Sequence, residues 1–242
     1  MSRSQRPAAK FTPERVAGLF ALWCIAMLVL MFVRPNFSSA SKPQHGIPDP
    51  VLALQMAHDL KDVDAVLGES PSADREVMRT KQYEDFGFIG GYACLYLALS
   101  QLLARKYPHA RMIAAVAAIA GLGAAAFDVI ENFAILRIVD VKLAATTQSM
   151  IDAVHHPAMI KWALGFIALG LLSTYFLWDR RRTAKVVGAI DAAAGILGSI
   201  ALYDNVLLVP AAGLIGLGLI GAVIVLLFMP GTADTNPVTR TA

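Results

Sequence analysis

Charged and amide side chains interrupt three apolar stretches of the sequence in a pattern that could do chemistry. Asp128, Glu131 and Asn132 stand at positions i, i+3 and i+4 of one stretch, so a helix presents them on one face. Lys161 interrupts a second stretch, and Asp85 stands at the start of a third. Ionisable groups surrounded by lipid are costly and call for a partner or a use. Carboxylates beside a lysine are suited to proton transfer, to cation binding or to simple pairing.

The candidate roles follow from these residue types. Asp128 and Glu131 are the candidate catalytic acid–base or cation-binding groups, and Lys161 is the candidate counter-ion or anion contact. The expected ligand-binding residues are Asp85, Asn132, Glu84, His155 and His156. Neither HxxxH nor HExxH occurs in the sequence, so we predict no metal and no cofactor. The alternative is that Lys161 pairs with one acid only to lock helix packing.

The composition places these residues in a membrane protein. Of 242 residues, 57% are hydrophobic and 16% are charged, against about 25% charged in an ordinary soluble domain, and the mean hydropathy is +0.57. These values exclude a soluble domain, and two cysteines exclude a disulfide scaffold. A net charge of +3, scattered along the chain, excludes nucleic acid as a partner. Membrane lipids are the expected partners.

Six stretches are long and apolar enough to cross a membrane as helices, which takes about 20 residues each. They cover 16–33, 86–103, 112–136, 158–178, 186–202 and 206–229. We therefore predict an all-α, polytopic bundle of six transmembrane helices with an extracytoplasmic helical cap. Its parts are an N-terminal segment (1–15), a four-span core (16–178) with an outer loop (35–83), a two-span hairpin (179–229) and a disordered tail (230–242).

Lysines and arginines in the short flanks predict the orientation, since they are enriched on the cytoplasmic side. With six spans the basic flanks fall on one side, at Arg3, Arg6, Lys10, Arg15, Arg105, Lys106, Arg111, Arg180, Arg181, Arg182 and Lys185. We predict a multi-pass protein of a bacterial inner membrane with both termini in the cytoplasm. The charged groups then lie in the outer half of the bilayer, because Asp128 follows Arg111 by 17 residues, or about 26 Å of helix.

A second interpretation makes the first span a cleaved signal peptide, with Ser38-Ser39-Ala40 as the cleavage site. Its 18 apolar residues are too many for a typical signal peptide, and Arg34-Pro35 follows them as a stop. We therefore expect an uncleaved span.

The outer loop is predicted to form the cap. Asp49-Pro50 has the pattern of an N-cap followed by proline at the first helical position. Apolar residues then recur at the spacing of one amphipathic helix, at Leu52, Met56, Leu60, Val63 and Leu67. Gly68 is expected to end this helix, and Ser70-Pro71 to start another that runs on into the second span. The apolar stripe is expected on the membrane surface or on the outer ends of the other spans.

Two features of the last spans are interpreted without a function. Asp191 lies within two turns of Lys185, and we expect it to reach towards the basic cluster at 180–185. Small residues recur four positions apart in both spans, which favours close helix packing. Contact between copies in a homo-oligomer is the alternative for these small-residue faces.

Four motifs follow one another along the chain: an outer "LALQMAHD" helix, Asp85-Phe86, Asp128-x-x-Glu131-Asn132, and Lys161-Trp162. In order and spacing they resemble a set of uncharacterised bacterial integral membrane proteins, over roughly residues 16–178. The resemblance implies that the acidic–lysine group is a shared feature, and it implies no activity.

Three functional hypotheses stay open. The leading one is a site in the outer half of the bilayer that binds or processes a lipid headgroup or another small polar ligand. An ion- or proton-coupled transporter needs access from both sides, for which Asp191 is the inner-half acid. A non-catalytic accessory or assembly protein needs no site, and its ion pairs are then structural.

Overall fold

The fold is all-α. The structure, a computed structural model, describes residues 12–33, 36–38, 46–204 and 207–229. Within these ranges it contains helices and no β-strand, and six of the helices are long and apolar enough to cross a membrane. The prediction of an all-α, six-helix polytopic bundle is confirmed. The predicted stop at Arg34-Pro35, most of the cleavage site and the tail from residue 230 lie outside the described residues.

The helices, in chain order, are α1 (Pro13–Val33), α2 (Pro50–Gln55), α3 (Leu60–Leu67), α4 (Ala73–Lys106), α5 (Arg111–Asp140), α6 (Gln148–Leu177), α7 (Arg182–Ala201) and α8 (Leu208–Val223). A π-helical turn, Ile224–Phe228, extends α8. Each long helix matches one predicted span. However, α4, α5 and α6 extend beyond the predicted spans at one end of the bundle, where they pack against the cap formed by α2 and α3.

The six long helices form a closed ring. Each packs against the next in the chain, and α8 packs back against α1. Close approach between α6 and α7 depends on glycine, because a Cβ on Gly188 would stand 2.7 Å from the backbone nitrogen of Leu177. Between α7 and α8, Gly221 lies against the side chain of Val187, where an added Cβ would stand 2.6 Å from a methyl group. These small residues therefore serve packing within the chain, while a homo-oligomer stays a prediction.

Basic flanks and their partners meet at the end of the ring away from the cap. Asp179, between α6 and α7, accepts a hydrogen bond from Arg181 Nε at 2.9 Å and pairs with Lys106 Nζ at 2.6 Å. Tyr175 donates to Glu14 Oε1 at 3.1 Å. Burial alone would raise the pKa of Asp179, but the hydrogen bonds from Arg181 and Lys106 outweigh burial and hold that pKa below its ordinary value. The ends of α1, α4 and α6 thus gather together, as six spans require, and the cytoplasmic location of this end stays a prediction.

The two ends of the predicted cap helix are where the sequence placed them. Asp49 caps α2, because its side chain accepts a hydrogen bond from the backbone nitrogen of Leu52 at 2.9 Å, and Pro50 is the first helical residue. Gly68 ends α3 with φ of 63°, a conformation that favours glycine. These local signals are strong because they satisfy backbone groups that a helix end leaves without partners.

The prediction of a single cap helix is wrong, because a second cap interrupts it. The Asp59 side chain accepts hydrogen bonds from the backbone of α3, and Asp62 Oδ2 accepts one in return from the Asp59 backbone nitrogen at 3.4 Å. This reciprocal capping box begins a new helix. Leu60 is therefore turned outward and is 39% exposed, so it does not belong to the buried stripe. The remaining apolar residues of the stripe pack against residues at the ends of the long helices, such as Ile138 of α5.

A buried arginine ties the cap to the bundle. Arg75, in the first turn of α4, is 2% exposed. Its Nη1 donates to the carbonyls of Ile138 and Val141 at 2.9 and 2.8 Å, and its Nε donates to the carbonyl of Gly68 at 3.1 Å. One guanidinium thus satisfies backbone carbonyls at the ends of both α3 and α5. Arg75 belongs to none of the sequence patterns described above.

The helix α6 begins ten residues before the predicted span. Pro157 lies inside it, and His155 and His156 are helical residues instead of a loop before the span. The extra turns form because Ile151 and Val154 are buried against the cap, so tertiary packing overrides the local effect of proline. The predicted helix that begins near Ser70-Pro71 and runs into the second span agrees with the structure, since α4 starts at Ala73 and continues without a break to Lys106.

Candidate functional site

Lys161 is the centre of the candidate site. Its Nζ lies 2.6 Å from Asp128 Oδ1 and 2.7 Å from Glu131 Oε2. The side chains of Lys161, Asp128 and Glu131 are 9%, 8% and 0% exposed. They meet because α5 and α6 are antiparallel neighbours and because one face of α5 carries both acids.

Two further hydrogen bonds join α4 to this group. Tyr92 donates its hydroxyl to Asp128 Oδ2 at 2.9 Å, and Asn132 donates its amide to Asp85 Oδ2 at 2.8 Å. The five residues Asp85, Asp128, Glu131, Asn132 and Lys161 therefore form one cluster across α4, α5 and α6, named here the acidic–lysine cluster. Tyr92 was missed by the sequence analysis, although it lies seven residues after Asp85, two helical turns along the same face.

Glu131 is the most deeply buried acid of the acidic–lysine cluster. Its side chain is fully buried, and among the described residues its Oε1 has no hydrogen-bond partner. Asp128 and Glu131 contact the single ammonium of Lys161, and Asp85 lies within electrostatic range of it, so one cation faces three carboxylates and cannot compensate them all. The cluster is therefore acidic, and such an arrangement is suited to hold a proton or a cationic group.

A cavity of about 540 Å³ lies inside the ring, lined by residues of all six long helices and of the cap. This volume is typical of sites for small molecules. Asp85, Asp128 and Lys161 line the cavity, whereas Glu131 and Asn132 lie behind its wall. A ligand would therefore meet the first three side chains, and Glu131 and Asn132 would act on it through them.

The cavity is amphipathic. On α4 its lining residues recur with the period of a helix, at Lys81, Asp85, Phe88, Tyr92, Leu95, Tyr96 and Leu99, so one face of this helix forms the wall. Away from the cap, leucine and phenylalanine side chains dominate, including Leu169, Leu172, Phe176 and Leu219. Phe32, at the end of α1, lines the cavity and is 75% exposed, which places a mouth beside the cap.

The cap closes over the charged end of the cavity through Gln55. Its side-chain oxygen accepts a hydrogen bond from Trp162 Nε1 at 3.0 Å, and its carbonyl lies 3.1 Å from His155 Nδ1. His155 thus contacts the cap and does not line the cavity, and neither does His156 or Glu84. These three predicted ligand-binding residues are not brought to the cavity wall. In the ranges that the structure describes, no group of three or more His, Cys, Asp or Glu could hold a metal ion.

Asp191 is placed differently from its predicted position. It is 6% exposed and lines the cavity, whereas Lys185 is on the exposed surface of α7. Between Asp191 and the basic cluster at 180–185 the described residues make no ion pair. The interpretation that this acid reaches towards those cations is therefore wrong, because its helix face points into the ring.

Comparisons with protein-family models, with curated proteins and with solved structures find no match for this chain. The resemblance to uncharacterised bacterial membrane proteins therefore stays a prediction.

Proposed function

We propose that the protein binds the polar headgroup of a membrane lipid, or another small polar ligand with a cationic group, at the charged end of the cavity. The observation that carries this proposal is the amphipathic lining, with Asp85, Asp128 and Lys161 near the cap and an apolar wall beyond them. A lipid presents the same two chemistries in one molecule. Entry from the membrane would use the mouth beside Phe32.

Asp85 is the side chain best placed to contact the ligand. Only its Oδ2 is engaged by Asn132, and the residue is half-buried, whereas Asp128 and Lys161 are buried. Its other carboxylate oxygen is available for a hydrogen bond from the ligand. Hydrogen bonds to charged groups contribute about 1.5–3 kcal/mol each, so this contact would account for a tenfold or greater effect on affinity.

The charge of the acidic–lysine cluster supports a ligand with an amine. Three carboxylates face one ammonium, so an added cationic group reduces repulsion in a region that water reaches poorly. A phosphate beside the amine would lie near Lys161, the cluster's cation. We therefore expect an ethanolamine-type headgroup to be preferred over an anionic one.

If the protein also processes its ligand, Asp128 is the candidate acid–base group. It lines the cavity, while its oxygens contact Lys161 and Tyr92, which hold the carboxylate in one orientation. Glu131 would act only indirectly, by partly neutralising the Lys161 ammonium, because it lies behind the cavity wall. We propose that the site lies in the outer half of a bacterial inner membrane, because the lysine and arginine flanks favour a cytoplasmic location for the opposite end of the bundle.

The test is lipid retention measured by native mass spectrometry. Purified protein is reconstituted with phosphatidylethanolamine and phosphatidylglycerol and then returned to mild detergent. We expect one retained phosphatidylethanolamine per chain, and about a tenfold loss of retention in Asp85→Asn. Asp64→Asn makes the same chemical change on the exposed surface of α3 and is expected to retain the lipid normally. Displacement by free phosphoethanolamine would assign the site to a small polar ligand instead of a whole lipid.

Equal retention of both lipids, or unchanged retention in Asp85→Asn, would overturn the proposal. Those results would favour the accessory-protein hypothesis, in which the ion pairs only hold the helices together. A bound lipid whose mass changes with time, in the wild type but not in Asp128→Asn, would establish processing.

A further inference from the structure

A second acidic group lines the cavity, beyond the acidic–lysine cluster. Asp191 of α7 is 6% exposed, and its carboxyl borders the cavity. Among the described residues it has neither an ion pair nor a hydrogen bond. A buried carboxyl without a partner is unusual, since most buried polar groups are hydrogen-bonded.

The opposite helix leaves room for this carboxyl. A Cβ added to Gly218 of α8 would stand 2.0 Å from Asp191 Oδ1, so the carboxyl occupies the space beside this glycine. The neighbouring lining residues of α8 are apolar, including Ile215 and Leu219. The sequence therefore keeps a space for the carboxyl group and offers it no cation.

The groups that face Asp191 come from three helices. From α6 the nearby lining residues are apolar, including Phe166 and Leu169, and α8 contributes glycine and aliphatic side chains. Across the cavity, Tyr96 of α4 lies within electrostatic range of Asp191. The Tyr96 ring packs 5.6 Å from that of Tyr92, and Tyr92 bonds to Asp128.

Polar groups therefore continue along the cavity from Asp128, through the two tyrosines, to Asp191. A carboxyl in such surroundings has two ways to avoid an isolated buried charge, which are to bind a proton or to bind a cation. A proton needs no ligand cage, and the described residues near Asp191 supply none.

We propose that Asp191 is a proton-binding site of the cavity, which exchanges its proton with water or with a ligand that enters the cavity. In one direction the proton leaves the Asp191 carboxyl and the entering molecule gains it. The reverse step restores both groups, so charge and atoms balance. The site holds its proton whether the occupant near the cap is a lipid or a soluble molecule.

The first test is labelling with the apolar reagent dicyclohexylcarbodiimide, which adds to protonated carboxyls in apolar surroundings. Reconstituted protein is labelled over a range of pH, and the adduct is located by peptide mass spectrometry. We expect an adduct on Asp191 that declines as the pH rises. The adduct should be lost in Asp191→Asn and kept in the control Asp64→Asn.

A second measurement does not depend on the reagent. Infrared difference spectra between low and high pH detect the carbonyl stretch of protonated carboxyls. One band is expected to disappear in Asp191→Asn and to shift in Asp191→Glu, with both variants eluting as folded protein. Absence of an adduct on folded wild type, or spectra unchanged in Asp191→Asn, would overturn the proposal. Neither result bears on lipid retention, so the proposed function and this inference fail separately.

Discussion

Replacing Lys161 by methionine removes the positive charge from the acidic–lysine cluster while keeping a side chain of similar length. The ammonium contacts Asp128 Oδ1 at 2.6 Å and Glu131 Oε2 at 2.7 Å, and all three groups are buried. Removing one partner of a buried ion pair costs about 3–5 kcal/mol, because the remaining charge is left uncompensated. For a chain of this size, such a loss lowers Tm by roughly 6–20 °C.

The assay is thermal unfolding in detergent, followed by intrinsic tryptophan fluorescence. Adding Asp128→Asn and Glu131→Gln to Lys161→Met removes the uncompensated charges, so this triple variant is expected to recover most of the lost stability. Lys185→Met is the matched control, since Lys185 is exposed and its replacement should change stability by less than about 0.5 kcal/mol.

Two results would refute the reasoning about Lys161. The first is a loss of less than about 1 kcal/mol in Lys161→Met, which is the range of an exposed pair. The second is a triple variant no more stable than the single one, which would show that charge compensation is not what Lys161 supplies.

Two other predictions concern the cap and the opposite end of the ring. Arg75→Lys keeps the charge, but one ammonium cannot reach the carbonyls at the ends of both α3 and α5. We therefore expect a loss of about 2–3 kcal/mol of stability and faster proteolysis of the cap. An unchanged cleavage rate would contradict the role of Arg75. For Asp179→Asn we expect a loss of about 1–2 kcal/mol at neutral pH. The pKa of Asp179 is held low in the folded protein, so its contribution is complete above the ordinary aspartate pKa of about 3.9 and is lost as the pH falls below that value. The stabilities of wild type and Asp179→Asn should therefore converge as the pH is lowered. A stability difference that grows on acidification would show that the pKa of Asp179 is not held low in the folded protein.

The sequence predicts the long helices well because lipid imposes a simple rule on them. A helix that crosses a membrane needs a long apolar stretch, and all six such stretches were recognisable. The spacing of Asp128 and Glu131 likewise places two acids on one face without any knowledge of the neighbours. Local signals at Asp49 and Gly68 succeed for a similar reason, since they concern backbone groups only a few residues away.

The errors arise where a local pattern competes with another local pattern or with tertiary packing. The stripe that contains Leu60 looks continuous, but the capping box at Asp59 interrupts the helix there. The predicted span 158–178 leaves out the first turns of α6, which are helical because they pack against the cap. The prediction that Asp191 reaches towards the basic cluster at 180–185 is wrong because the direction of this side chain depends on how α7 packs against α8, which the neighbouring residues in the sequence do not reveal.

The unbroken course of α4 restricts how the cavity can open. Arg75 and Asp85 lie on this one helix, ten residues or about 15 Å apart, and Arg75 bonds to the carbonyl of Gly68 at the end of α3, so α4 connects this part of the cap directly to Asp85. The other cap helix, α2, reaches α6 through Gln55 and is separated from α3 by the short link at 56–59. Any displacement of α2 would have to break the hydrogen bond between Trp162 and Gln55 and uncover Leu54, which is 1% exposed, so the cost of uncovering the charged end of the cavity is set largely by apolar burial.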